Sequence, residues 1–354
     1  MIDEIILQNY RAFKKETISD CGQFNVIVGD NGSGKTAILE ALFYACCNSP
    51  EGILRTKAWR GLPQSVDAFD VDFMEQVWGD LFYDGNLTKD VWIRLKDRKG
   101  SFTRSFYVSK GAKREIVIRP RISDSADSER ESHSQSFRFR WKGPGKIDHE
   151  DIPRIEDRKL VFGAGQEAPL SMAFFAANQT YSALETASRY SKLSRKGKNI
   201  KFNMLFSKLF PNVGDVSVEV VNGSPILCAR DKQSGISTPI NSLSGGMAKL
   251  ASILVAIPNS ENGYILLDEF ENGIYYKRLK GAWNAIVEFA TSYGVQIFLT
   301  THSSECLSVL ANAAENHQES YRLFRTVRQN GGSVIRSFSG DQFTNAIAEE
   351  IEIR

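Results

Sequence analysis

No apolar stretch in these 354 residues approaches the roughly 20 needed to span a bilayer, and the first residues lack the hydrophobic core of a secretion signal. An inserted or exported protein is therefore not expected, and a cytoplasmic one is. Cysteine is scarce. The five residues Cys21, Cys46, Cys47, Cys228 and Cys306 are odd in number and show no CxxC spacing, which argues against a disulfide framework and against zinc. Neither sign of charge dominates: 44 Lys and Arg face 42 Asp and Glu, a net of +2, so electrostatics neither demand nor forbid nucleic acid. No internal repeat is evident, and no heptad pattern with flanking charges runs between residues 36 and 244, which excludes a solenoid and a long coiled coil. What remains, a 42% hydrophobic fraction in a chain of this length, is enough for a large core.

Against those absences stands one unbroken motif. Gly29 to Thr36 reads GDNGSGKT, matching GxxxxGK[ST], and the apolar run Phe24 to Val28 leads into it as a strand would. Glycines at 29, 32 and 34 let the backbone N–H groups and the following helix start surround a phosphate chain. Lys35 is then expected on the outer phosphates and Thr36 on Mg²⁺, with Asn31, Gly32, Ser33, Gly34 and Ala37 completing the nucleotide contacts. ATP or GTP, with Mg²⁺, is the expected ligand. Ala37 to Cys47, rich in Ala and Leu, is the expected helix beneath the loop.

Tyr264 to Glu271, YILLDEFE, is an apolar run ending in acids, the pattern of a buried parallel strand whose carboxyl end faces a ligand. Asp268 is placed to hold Mg²⁺ and Glu269 to act as general base on the attacking water. A second apolar run, Val295 to Leu299, ends in Thr300-Thr301-His302-Ser303, where His302 resembles the switch histidine that contacts the γ-phosphate in ABC-type heads. Between these and the phosphate loop lies Asn241 to Leu250, NSLSGGMAKL. There Ser244, Gly245 and Gly246 open a helix and offer a hydroxyl and backbone N–H groups to an anion.

The order of these four motifs resembles ABC-type ATPase heads. The resemblance implies an α/β P-loop head with a central, mostly parallel sheet, an antiparallel β subdomain and a helical signature lobe. It also implies that the Ser244 loop closes over a nucleotide held by a second copy, in a homodimer or higher oligomer. The opening IDEIILQNYRAF resembles the first strand and turn of RecF, SMC, Rad50 and OLD-type heads, from which Arg11 is carried over as a nucleotide or phosphate contact. The resemblance further implies a glutamine after the run Leu170 to Ala177; Gln179 is the candidate, with Gln64, Gln76 and Gln166 as alternatives. LDEFENGIYY together with THSSEC is similar to the OLD-like branch, although Ile274-Tyr275 departs from that branch's Leu-His. Only about fifty residues follow His302, too few for a Toprim nuclease, given domains of ~100 residues or more. Such a likeness implies anti-phage defence with a separately encoded effector such as a nuclease. A RecF-like DNA-repair ATPase and an assembly scaffold with little turnover are the other readings.

The expected layout is a single head over 1–354. Its P-loop lobe covers 1–165, with an antiparallel sheet over about 90–142 and a mobile loop at 123–136. The signature lobe follows over 166–260, and 261–354 returns to the core. Period-two alternation in VWIRLKD, SFTRSFYVS, REIVIRP and SFRFRWK carries the sheet. The basic run Lys192 to Lys201 is a candidate contact for nucleic acid or an acidic partner.

Overall fold

The computed structural model describes residues 1–61, 73–97, 103–110, 114–117, 131–134, 136–143, 148–156, 159–163, 170–177, 181–329 and 331–349. Its centre is a six-stranded sheet in the order Met172–Phe175, Tyr264–Leu267, Gln296–Thr300, Phe24–Gly29, Tyr321–Gln329, Gly332–Ser339. The first five run parallel and the last turns back antiparallel at the edge.

Alternation along these short strands divides the core in two, because successive side chains leave a strand on opposite faces. Val26, Val28, Ile265, Leu267, Ile297 and Leu299 join the buried cluster that includes helices Ala183–Arg195, Asn199–Leu209, Gly245–Asn259 and Tyr276–Ser292. Their neighbours Ile27, Leu266 and Phe298 join the other cluster, with helix Lys35–Cys46 and the antiparallel sheet. A strand buried on both faces reads as a continuous apolar run, and that is why these strands carry no polar residue between Val26 and Val28 or between Ile265 and Leu267.

The antiparallel sheet has six strands: Phe13–Ile18, Ile2–Tyr10, Val91–Asp97, Thr103–Lys110, Phe137–Lys142 and Asp148–Asp151. The opening strand thus lies inside this sheet, which reaches further along the chain at both ends than the alternating segments alone indicate. Gln296 locks the two sheets together: its buried amide accepts from the Ile2 N–H at 2.8 Å and donates to Ile2 O at 2.8 Å and Gly22 O at 2.7 Å. Of the loop expected at 123–136, Glu131–Ser134 forms a strand paired with Arg114–Val117, and 123–130 and 135 lie outside the described residues. The span 166–260, expected as the signature lobe, holds helices Ala183–Arg195, Asn199–Leu209 and Gly245–Asn259 together with strands. Val213–Val221, Ser224–Asp231 and Ser237–Pro239 form a three-stranded antiparallel sheet within it, turning at Asn222-Gly223, both with positive φ.

Candidate nucleotide site

Four loops leave the carboxyl ends of adjacent parallel strands and converge, the position at which open α/β sheets bind ligands. The phosphate loop leaves Gly29, the acidic turn leaves Leu267, the histidine loop leaves Thr300, and the chain after Phe175 leads toward Gln179. Gln179 itself, like Gln64 and Gln166, lies outside the described residues; Gln76 sits in helix Phe73–Trp78.

The phosphate loop is shaped by its glycines. Gly34 caps helix Lys35–Cys46 with φ 102°, and a Cβ there would stand 2.7 Å from Phe13 Cζ. A side chain at Gly34 would add the left-handed penalty of about 1–2 kcal/mol to that clash. No side chain caps this helix, so its first N–H groups stay open toward an anion. Gly32 at φ 75° and the exposed Asn31 line the turn, while Ser33 is buried with its Oγ 2.5 Å from Thr326 Oγ1. Thr326 donates on to Val28 O at 3.0 Å and so pins the loop to the neighbouring strand. Ala37 is buried in the helix behind. Lys35 Nζ donates to Gly29 O at 2.6 Å and Asp30 O at 2.8 Å, folded over its own loop. Burial pushes its ammonium below the ordinary lysine range, against the opposing pull of Glu269 and Asp268.

Thr36 Oγ1 donates to both Asp268 oxygens, at 3.0 and 3.2 Å, so the hydroxyl and carboxylate expected on Mg²⁺ already face one another. That donor pair, hard oxygens beside an uncapped helix start, fits a magnesium ion that keeps waters and phosphate oxygens as its other ligands. Asp268 also accepts from Thr300 Oγ1 at 2.7 Å, and Thr300 Oγ1 in turn accepts the Glu269 N–H at 2.8 Å. Glu269 is held at φ 45°, a left-handed conformation that is costly for a residue with a side chain. Its Oε2 accepts from Asn272 Nδ2 at 2.6 Å, and its Oε1 lies 3.6 Å from His302 Nε2, beyond hydrogen-bond length. Glu271 supports the histidine loop: its Oε1 accepts the N–H groups of His302 at 2.8 Å and Ser303 at 3.1 Å.

Ser244 is the N-cap of helix Gly245–Asn259, accepting the Met247 N–H at 3.1 Å. Residues 241–245 are exposed, and among the described residues no hydrogen bond joins 244–246 to the phosphate loop. A Cβ on Gly246 would stand 2.5 Å from Gly273 O, so this helix start presses against the turn that follows the acidic strand.

Arg11 is engaged elsewhere. Its guanidinium pairs with Glu40, contacts Asp80 at 3.5 Å and donates to Tyr44 OH at 3.3 Å, while Arg60 holds the other Glu40 oxygen at 2.8 Å. Any phosphate contact from Arg11 would have to be made at the expense of these partners. Arg11→Ala is expected to lower unfolding free energy by about 3 kcal/mol in urea denaturation, the lower end for stripping one partner from a buried pair, because Arg60 remains. Nucleotide affinity unchanged alongside that loss would assign Arg11 to structure; a tenfold weaker affinity at native stability would assign it to phosphate.

Lys249, Glu271, Thr300, Asn272 and Thr326 were not singled out by motif. Each acts through a partner remote in sequence or through a bond to backbone, and the one local signal was a lysine in the otherwise apolar run after Gly246. In the basic run, Lys198 pairs with Glu261 at 3.2 Å and Lys201 with Glu288 at 3.2 Å, so two of its cations are already met by the chain itself.

Over residues 24–308 the chain matches the family described as "AAA domain, putative AbiEii toxin, Type IV TA system". It is 23% identical over 341 residues to an ATP/GTP phosphatase of Helicobacter pylori, covering 88% of this chain and 87% of that one. A shorter likeness, 50% over 42 residues, joins it to the DNA replication and repair protein RecF of Acetivibrio thermocellus, over 12% of this chain and 11% of that one. Its fold resembles the solved structure of an SmcHead bound to the C-winged helix domain of ScpA, with a TM-score of 0.53 at 16% identity over 96% of this chain and 97% of the other.

Proposed function

The chain belongs to this AAA-domain family and is an ATP-hydrolysing enzyme with an SMC-head-like fold, and from that premise we propose that it works as a two-headed switch closed by Mg·ATP. Each nucleotide is held by Lys35, Thr36 and Asp268 of one head and by Ser244 and Gly246 of a second copy. The observation that carries this reading is the exposed Ser244 loop, which caps its own helix and, among the described residues, makes no hydrogen bond to its own phosphate loop. Apolar side chains flank it in the open: Leu243 is 43% exposed, and Tyr275 and Tyr276, 56% and 59% exposed, follow the turn that Gly246 abuts. A patch of that kind beside an anion-binding helix start is suited to burial against a partner.

In hydrolysis, Lys35 leaves the Gly29 and Asp30 carbonyls for the phosphate oxygens, and Glu269 takes a proton from water as the water oxygen bonds to the γ-phosphorus. The bond to the β-phosphate oxygen breaks, giving ADP and phosphate, and His302 contacts the departing group. Magnesium, held by Thr36 and Asp268, would neutralise charge on the phosphate oxygens. Thr300, bonded to both acids, keeps the Asp268 and Glu269 positions in step.

Loss of the γ-phosphate opens the heads, and that change controls a separately encoded effector, a nuclease or toxin, in a cytoplasmic anti-phage system of OLD-like kind. Support for this comes from the toxin–antitoxin description of the family and the LDEFENG continuation. The RecF likeness favours a second reading as a DNA-responsive ATPase, in which duplex DNA accelerates turnover in a salt-sensitive way.

Sedimentation velocity tests the switch. A non-hydrolysable ATP analogue with Mg²⁺ is expected to raise the mass of the native protein to that of a multiple of the nucleotide-free species. An unchanged mass at saturating analogue contradicts it.

A further inference from the structure

On the second turn of the helix capped by Ser244, Lys249 is 3% exposed within a run that is otherwise almost entirely apolar. Burying an ammonium is unfavourable unless its donors are met. Here Nζ donates to Glu269 O and to Asn272 O, each at 3.0 Å. Burial pushes this ammonium down to about 8, against the upward pull of Glu271, Asp268 and Glu269. These bonds reach the turn that holds Glu269 at φ 45°. The turn is closed on its other sides by the Asn272 N–H on Glu269 O at 3.0 Å, by Asn272 Nδ2 on Glu269 Oε2, and by Thr300 on the Glu269 N–H. The same helix touches the turn once more where Gly246 meets Gly273.

We infer that Lys249 is a positioning residue. Its ammonium clamps the Glu269–Asn272 turn to the helix that carries Ser244, so that the seating of the Ser244 loop and the aim of the Glu269 carboxylate move together. The inference rests on the reading of Glu269 as general base. A methionine at 249 would fill the same space without a donor, and it would leave the turn free to relax from its left-handed backbone. A shift of about 1 Å in a catalytic group is enough to cost on the order of 10²-fold in rate.

The test is steady-state ATP hydrolysis and fluorescent-ATP binding by the full chain carrying Lys249→Met, Lys249→Arg, Lys249→Gln or Glu269→Gln. Lys249→Met is expected to lower kcat about 10- to 100-fold while nucleotide affinity stays within about threefold, a split that separates positioning from binding. Lys249→Arg, which keeps the charge and the donors, is expected to recover most of that loss. Native kcat in Lys249→Met overturns the inference, as does an Arg variant no faster than Met at equal thermal stability. Should the Met protein not fold, Arg and Gln decide it: a faster Arg variant supports the clamp, and equal rates reject it. Glu269→Gln at the native rate would instead reject the base assignment, whereas its expected loss together with an unaffected Lys249→Met rejects the clamp alone.

Discussion

Glu269→Gln is expected to bind Mg·ATP like the native chain, to hydrolyse it about 10²- to 10⁴-fold more slowly and to accumulate the proposed closed pair of heads; that span is what a positioned general base contributes. Glutamine keeps the volume of the side chain and an oxygen that can accept from Asn272 Nδ2, now 2.6 Å from Glu269 Oε2. The bond to Thr300 Oγ1 is donated by the Glu269 backbone N–H, not by its side chain, and survives the change. What is lost is basicity alone. The Thr36–Asp268 pair and the Lys35 loop are untouched, so binding and chemistry separate, and single-turnover quench with mass measurement reads both. Turnover at the native rate would remove Glu269 from the role of base.

Lys35→Ala and Ser244→Arg are expected to be equally inactive for different reasons. In the proposed function Lys35 brings a desolvated ammonium to a phosphate chain, and truncating a buried hydrogen-bonded charge costs about 2–5 kcal/mol, so Lys35→Ala is expected to lose affinity. Ser244→Arg leaves the phosphate loop of its own chain intact, because no bond joins them, and it is expected to bind ATP normally. Its bulk and its lost cap at the helix start remove the donors that would complete the nucleotide held by the second head while leaving the heads able to pair, so hydrolysis at that site fails with binding preserved. Equilibrium binding of a fluorescent ATP analogue to each variant distinguishes the two.

The parts of this design legible in the sequence are those whose physics is local. Left-handed glycines at 29, 32 and 34, an apolar run delivering Asp268-Glu269, and a hydroxyl before two glycines at 244–246 each reveal their geometry within a few residues. The head fold followed from their order. The three-stranded sheet after Val213 was not legible, because its strands are partly exposed and the third, Ser237–Pro239, is too short to show a period. Helix Glu51–Trp59 shows no clear apolar period, because Thr56 and Lys57 are buried through polar bonds to Tyr44 and Asp80 rather than by apolar packing. The ion pair of Arg11 was not legible, since the Glu40 that engages it stands 29 positions later on the helix beneath the loop. Lys249 reaches its turn across 20 and 23 positions by backbone oxygens that no motif encodes.

Sharing of each nucleotide between two chains is tested most directly by mixing Lys35→Ala with Ser244→Arg and measuring ATP hydrolysis. A mixed pair carries one intact composite site, built from the Lys35 of the Ser244→Arg chain and the Ser244 of the Lys35→Ala chain. Random pairing makes about half of the dimers mixed, each with one working site of two, so about a quarter of the native rate is predicted from a mixture of two silent proteins. A mixture as silent as its components, under conditions where mixed pairs are shown to form, would contradict a site completed by a second copy.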